Sequence, residues 1–170
     1  MTTDRLAIML KMQADLQAEA YGHRLAEFTP EMRVNFIKNM VLAATDELHE
    51  ALNETSWKPW STSFGEVAEE AYFGELIDLW HFVMNLFLVA YPGLPPEALA
   101  AAIELRYAQK RKVNIKRQED GYDGKTGKCI GCKRALDDPT TGCGEVDPED
   151  DTMWCDVNGD WFSADGGAFV

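Results

Sequence analysis

The sequence predicts an all-α protein: a helical bundle of about four main helices with a small, irregular, cysteine-containing C-terminal appendage. Three observations carry this. Apolar residues recur at helical spacing in four long stretches before residue 120. Clusters of proline, glycine and short polar residues punctuate those stretches. Residues 123–170 then change character, with 11 acidic and 4 basic residues, many glycines and all four cysteines.

The first helix is expected from about Thr3 to Phe28, with Leu6, Met9, Leu10, Met12 and Leu16 at helical spacing. Thr29-Pro30 ends it and begins the second, expected from Glu31 to Asn53. The segment TSWKPWSTSFG (55–65) breaks the periodicity and reads as a loop. The third helix is expected from Glu66 to Ala90, stopped by Pro92-Gly93 and Pro95-Pro96, and the fourth from Pro96 to Gln118. These divide the chain into a helical domain, 1–122, and an acidic four-cysteine tail, 123–170. The tail is too small to hold a core alone and needs a metal or the main body to fold.

Composition narrows the function. Apolar residues make up 46%, enough for a proper core. A net charge of −13 argues against nucleic-acid binding, which needs a basic face. The N-terminus lacks a basic region followed by a long apolar stretch. The stretch Leu76 to Tyr91 reads as too short and too polar to span a membrane. A cytoplasmic protein is expected. In a reducing compartment the set Cys129-x2-Cys132, Cys143 and Cys155 points to structural Zn²⁺ rather than disulfides. Metal binding would then help fold the tail.

The third helix is the informative one. From Leu76 to Ala90 it is apolar almost all round and is expected to be buried on most sides. Yet Glu75, Asp78 and His81 sit in and beside that run, and Glu75 and Asp78 share a face. A carboxylate in apolar surroundings needs a partner or a metal. Glu47 and Glu50 form a matching pair on the second helix, with Glu54 one turn on. E-x-x-E is also common on exposed helix faces. Two helices each presenting two carboxylates suit Mg²⁺, a hard cation that binds beside substrate phosphates.

Two other features need a role. Residues 106–117 (RYAQKRKVNIKR) hold six basic residues and no acidic one. They either complement a helix C-terminus or clamp phosphates, with Arg117 as a planar fork. Lys58 could join them, and Tyr122 and Lys125 follow at a glycine-rich turn. Gln13 and Gln17 extend the stripe of Leu6 and Leu10, where apolar residues are expected. Buried amides need partners, and a nucleobase edge can supply them. Trp57 and Trp60 flank Lys58 and are candidates for stacking on a base.

Several segments together resemble the dimeric dUTPases, a group within the all-α nucleotide pyrophosphatases. ELHEALNETSWKPW (47–60) is similar to their first metal motif and following loop. ELIDLWHF (75–82) resembles the second metal motif, and VNIKRQEDGYDGK (113–125) the third. MLKMQADLQ (9–17) resembles their first helix. The resemblance spans roughly residues 6–125. It implies a helical homodimer hydrolysing dUTP to dUMP and pyrophosphate, with Mg²⁺ held by Glu47, Glu50, Glu75 and Asp78. A water would attack phosphorus with Glu50 as base and Glu47 as its competitor. Lys58, Arg117, Tyr122 and Lys125 would hold the triphosphate, with Asn114 nearby. Gln13, Gln17 and Trp60 would recognise uracil, Phe82 would pack on the deoxyribose, and His81 would stand close by.

Two departures and three alternatives stand beside this reading. The family usually has Asn where this chain has Gln17, and often Phe at Trp57. A longer Gln17 side chain changes the base pocket, so dCTP or another dNTP is an alternative substrate. Asp46-x-x-His49 and Asp78-x-x-His81 also fit a di-iron helical bundle. That design needs inward glutamates, for which Glu19, Glu27 and Glu104 are available, but it leaves the basic cluster unexplained. The non-enzymatic alternative is an acidic zinc-binding interaction module.

Overall fold

A computed structural model describes residues 4–119, Cys129, Arg134, 152–155 and 160–163. By internal packing the chain divides into two compact units, Met1–Ile103 and Glu104–Val170. Four helices dominate: α1 (Arg5–Ala20), α2 (Pro30–Asn53), α3 (Glu69–Ala90) and α4 (Pro96–Glu119). The bundle is all-α, as the periodicity predicts.

Local chemistry explains the helix starts. Asp4 caps α1, its side chain accepting from the amides of Leu6 and Ala7 at 3.0 and 3.1 Å. Thr29 caps α2 through the amide of Met32, with Pro30 in the first turn where its missing N–H costs nothing.

Two boundaries differ from expectation. The first helix stops at Ala20 rather than Phe28, because Gly22 takes φ +68 and turns the chain into a short 3₁₀ turn, Leu25–Glu27. The third starts at Glu69 rather than Glu66. The intervening residues instead pair back on the loop: the Ser56 amide donates to the Glu66 carbonyl at 2.8 Å and the Ala68 amide to the Glu54 carbonyl at 2.9 Å. Thr55 and Val67 form a bridge, and Gly65 at φ +92 lets the loop turn. The loop's ends are thus held together and its tip presents Trp57, Lys58 and Trp60.

In the first unit, α3 packs along α2 and against α1. The core gathers Ala7 and Leu10 of α1, Met84 and Leu88 of α3, and Leu99 and Ala100 of early α4. Arg33 of α2 donates to the carbonyl of Ala90 at 2.6 Å, satisfying one of the open carbonyls at the end of α3.

The expectation that α3 is buried on most sides from Leu76 onward is corrected. Only Met84, Asn85, Leu88 and Val89 are buried, while Ile77 is exposed and the rest of the run is mostly half-buried. The reason is geometric: α1 and α2 cover two sides of a helix that is apolar on more than two. Length and composition alone would let α3 cross a membrane. Its packing against α1 and α2 and its polar Glu75, Asp78, His81 and Asn85 are those of a bundle helix.

In the second unit, strands β1 (Thr152–Cys155) and β2 (Asp160–Ser163) pair antiparallel, with Trp154 opposite Trp161 and Cys155 opposite Asp160. Cys129 and Cys155 are both fully buried, and the Cys129 amide donates to the Arg134 carbonyl at 2.7 Å. Cys132 and Cys143 lie outside the described residues.

Candidate active site

Glu47 of α2 and Glu75 and Asp78 of α3 converge, each offering a carboxylate oxygen so that all three lie within 4.8 Å of one another. Their positions follow from helix geometry. Glu75 and Asp78 are one turn apart on α3, and α2 runs alongside to bring in Glu47. Glu47 and Glu75 are half-buried and Asp78 is exposed. Crowding has an electrostatic consequence. Burial pushes the Glu47 carboxyl above its usual range, and a hydrogen bond with Glu75 and the charges of Glu50, Asp78 and Glu75 push the same way. Three oxygen donors holding unfavourable like charge are a fit site for a hard divalent cation, which would relieve that repulsion.

Glu50 is exposed and stands on α2 close enough for its charge to act on Glu47, but it is outside the three-carboxylate group. Asp46 and His49 are exposed on the same helix and also outside it.

Beside the carboxylates lies a cavity of about 270 Å³, walled by Gln13, Tyr21, Glu47, Asp78, His81 and Asn85, with Leu16 and Phe82 completing it. Gln13 and Asn85 are each 2% exposed, so their amides must be paired within the protein. Gln13 Nε2 donates to Asn85 Oδ1 at 2.8 Å, and His81 Nδ1 donates to Gln13 Oε1 at 2.6 Å. Asn85 Nδ2 donates in turn to the sulfur of Met40 at 3.3 Å.

Gln17 is buried as well, but it does not line this cavity. Its Oε1 accepts from His23 Nδ1 at 2.9 Å, and the His23 ring packs edge-on against Phe28 and Phe36. Among the cavity-lining residues, Leu16, Tyr21 and Asn85 are not singled out by sequence reasoning as site residues. The available signal for Asn85 was an amide in an apolar run, one helical turn after His81.

Lys58 lies on the exposed loop with its ammonium 5.7 Å from the Trp57 ring centre, a cation–π contact. Trp60 is 78% exposed. Asn114, exposed, and Arg117, half-buried, lie on α4 in the second unit. A groove along that helix is lined by Tyr107, Lys110, Arg111, Asn114, Ile115 and Gln118. Tyr122 and Lys125 lie outside the described residues.

A helical bundle with a carboxylate cluster opening onto an amide-walled cavity defines a class: all-α proteins that can hold a divalent cation against a polar ligand. Within that class the family is specific. A family model described as dUTPase matches residues 5–91, just over half of the chain, and the chain belongs to this all-α dUTPase family. Its activity is therefore of the nucleotide pyrophosphohydrolase, dUTP diphosphatase type. The matched stretch runs from α1 to the loop after α3 and takes in the carboxylate cluster, the cavity and the Trp57–Trp60 loop. Asn114, Arg117 and the cysteine tail fall beyond it. Comparison with curated proteins and with solved structures gives no significant match.

Proposed function

We propose that the protein hydrolyses dUTP to dUMP and pyrophosphate with Mg²⁺, the base entering the Gln13 cavity and the triphosphate lying over the carboxylates. The observation that carries this is the adjacency of the two: Glu47 and Asp78 belong both to the carboxylate cluster and to the wall of the amide-lined cavity. A nucleotide needs this pairing, with a hydrogen-bonding recess for the base next to a place for phosphate-bound cation.

Glu47, Glu75 and Asp78 would hold Mg²⁺, with Glu50 as the fourth carboxylate of the set on α2. Bound there, the cation supplies charge neutralisation and polarisation of the phosphoryl oxygens. Glu50 takes a proton from the attacking water, because it is the carboxylate of the set left outside the crowded three. Glu47, whose proton affinity is raised, is the competitor for that role. Gln13 bonds the base edge, Phe82 packs on the sugar, and Trp60 closes over the base from the loop. Lys58 steadies the triphosphate, a role that the resemblance also gives Asn114, Arg117, Tyr122 and Lys125.

The exposed apolar residues Val34, Val41, Leu42 and Leu48 of α2 and Phe73 and Ile77 of α3 support a homodimer that covers them. The two buried thiols, Cys129 and Cys155, support structural Zn²⁺ in the tail. Light scattering and metal content of the purified protein check these two points; a monomer or a zinc-free protein would remove them.

The activity is tested by pyrophosphate release from each of the common dNTPs and dUTP, with and without Mg²⁺. dUTP is expected to be turned over fastest and only with the cation. Equal turnover of purine nucleotides, or turnover in chelator, would refute the proposal.

A further inference from the structure

The amides of Gln13 and Asn85 pose a question of direction. A side-chain amide keeps nearly the same shape when turned end for end, but its donor and acceptor exchange places. In a cavity that reads a base edge, such a turn matters. Uracil shows an acceptor at its C4 carbonyl beside a donor at N3, whereas cytosine shows a donor at its amino group beside an acceptor at N3. An amide free to turn would serve both bases.

The structure contains a group that breaks this ambiguity. The Met40 thioether has lone pairs and no hydrogen, so it only accepts. It sits 3.3 Å from Asn85 Nδ2. Asn85 therefore presents Oδ1 to Gln13, and Gln13 answers with Nε2 at 2.8 Å. The carbonyl of Gln13 is then left to face His81 Nδ1 at 2.6 Å, and that nitrogen carries the hydrogen. Turning the Asn85 amide would set its carbonyl against the sulfur lone pairs in a site that is 2% exposed, with no donor to satisfy it, and turning Gln13 alone would set its carbonyl against that of Asn85.

We infer that Asn85 and Met40 are positioning residues that fix the direction of the Gln13 amide, and through it the preference for uracil over cytosine. The inference rests on the reading of this cavity as a pyrimidine site. The relay leaves Gln13 one N–H and one carbonyl lone pair for the ligand, in a fixed order along the cavity wall. Uracil's acceptor–donor edge matches that order and cytosine's reversed edge opposes it. Gln17, tied to His23 outside the cavity, has no part in the choice.

The test compares kcat/KM for dUTP and dCTP in the wild-type protein, Asn85→Leu and Met40→Leu. Leucine roughly keeps the bulk at both places and removes the directional partner. Asn85→Leu is expected to shrink the dUTP-over-dCTP ratio about tenfold, the scale of one hydrogen bond's net worth. Met40→Leu is expected to shrink it about threefold, since sulfur is a weak acceptor. A purely structural role would lower both substrates together and leave the ratio unchanged, which would overturn the inference. The His81 imidazole tautomer, read by ¹⁵N and ¹³C NMR of the wild-type protein at alkaline pH, needs no variant. Hydrogen on Nδ1 is expected; hydrogen on Nε2 alone would overturn the relay. If the wild-type protein cleaves neither nucleotide, the pyrimidine assignment fails and base choice with it, while the tautomer still reports the direction of the bonds.

Discussion

The two halves of α3 do opposite work on one continuous helix. Its C-terminal half buries Met84, Asn85, Leu88 and Val89 against the core with α1 and early α4. Its N-terminal half places Glu75 and Asp78 at the half-buried and exposed positions that meet Glu47. His81 and Asn85 join the halves, since both line the cavity and both bond into the Gln13 relay, directly or through it. The difference teaches where charge can be held. The carboxylates lie where solvent or a cation can reach them, and the amides lie where their partners are other side chains and whatever enters the cavity.

Three substitutions would break or sharpen this contrast. The largest effect is expected at the charged end. Asp78→Asn should lower kcat/KM for dUTP by about 100-fold or more, the scale on which supporting groups of metal sites act. Because Asp78 is exposed, the thermal midpoint should hardly move. Steady-state kinetics with a Mg²⁺ titration, beside a melting curve, checks both. Retained turnover at wild-type Mg²⁺ would remove Asp78 from the site.

At the apolar end the pattern should invert. Leu88→Ala should cost about 2–4 kcal/mol of stability by opening a cavity in the core. The activity of the folded fraction should be nearly preserved. Chemical denaturation with parallel kinetics measures this, and a loss of activity without a loss of stability would contradict the division of labour.

The smallest effect concerns Glu47. Its folded-state carboxyl titrates above the ordinary value of 4.5, so the folded protein binds this proton more tightly than the unfolded chain does. The stabilising contribution is fully present below 4.5 and is lost as pH rises through the raised value. Glu47→Gln should therefore stabilise the metal-free protein at neutral pH by about 0.5 kcal/mol, typical of partly exposed charge pairs. That gain should fade on acidification. Melting curves across pH in chelator test it, and parallel curves for the two proteins would show the cluster to be uncoupled.

Much of the helical framework was legible in the sequence because its signals are local. The Thr29-Pro30 start and the proline-rich breaks after α3 act within a few residues, and the extents of α2 and α4 agree with expectation to within one residue. The two errors at the helix ends are also physical. Gly22 interrupts a pattern whose apolar spacing continues beyond it, and Glu66 to Ala68 are drawn out of the helix by pairing with residues 54–56. The convergence of Glu47 with Glu75 and Asp78 was foreshadowed by charge placed against an apolar run. The relay was not, because its bonds join residues 72, 68 and 45 positions apart in the chain.

Gln13 and Gln17 show where the two levels part. Their identity and four-residue spacing place both amides on the buried stripe of α1, and that much is written in the sequence. Which one faces the cavity was decided by the fold: His23 comes round after Gly22 to take Gln17, while α3 brings His81 and Asn85 to Gln13. A buried amide must bond to whatever partner packing delivers, and packing joins residues that no local pattern connects.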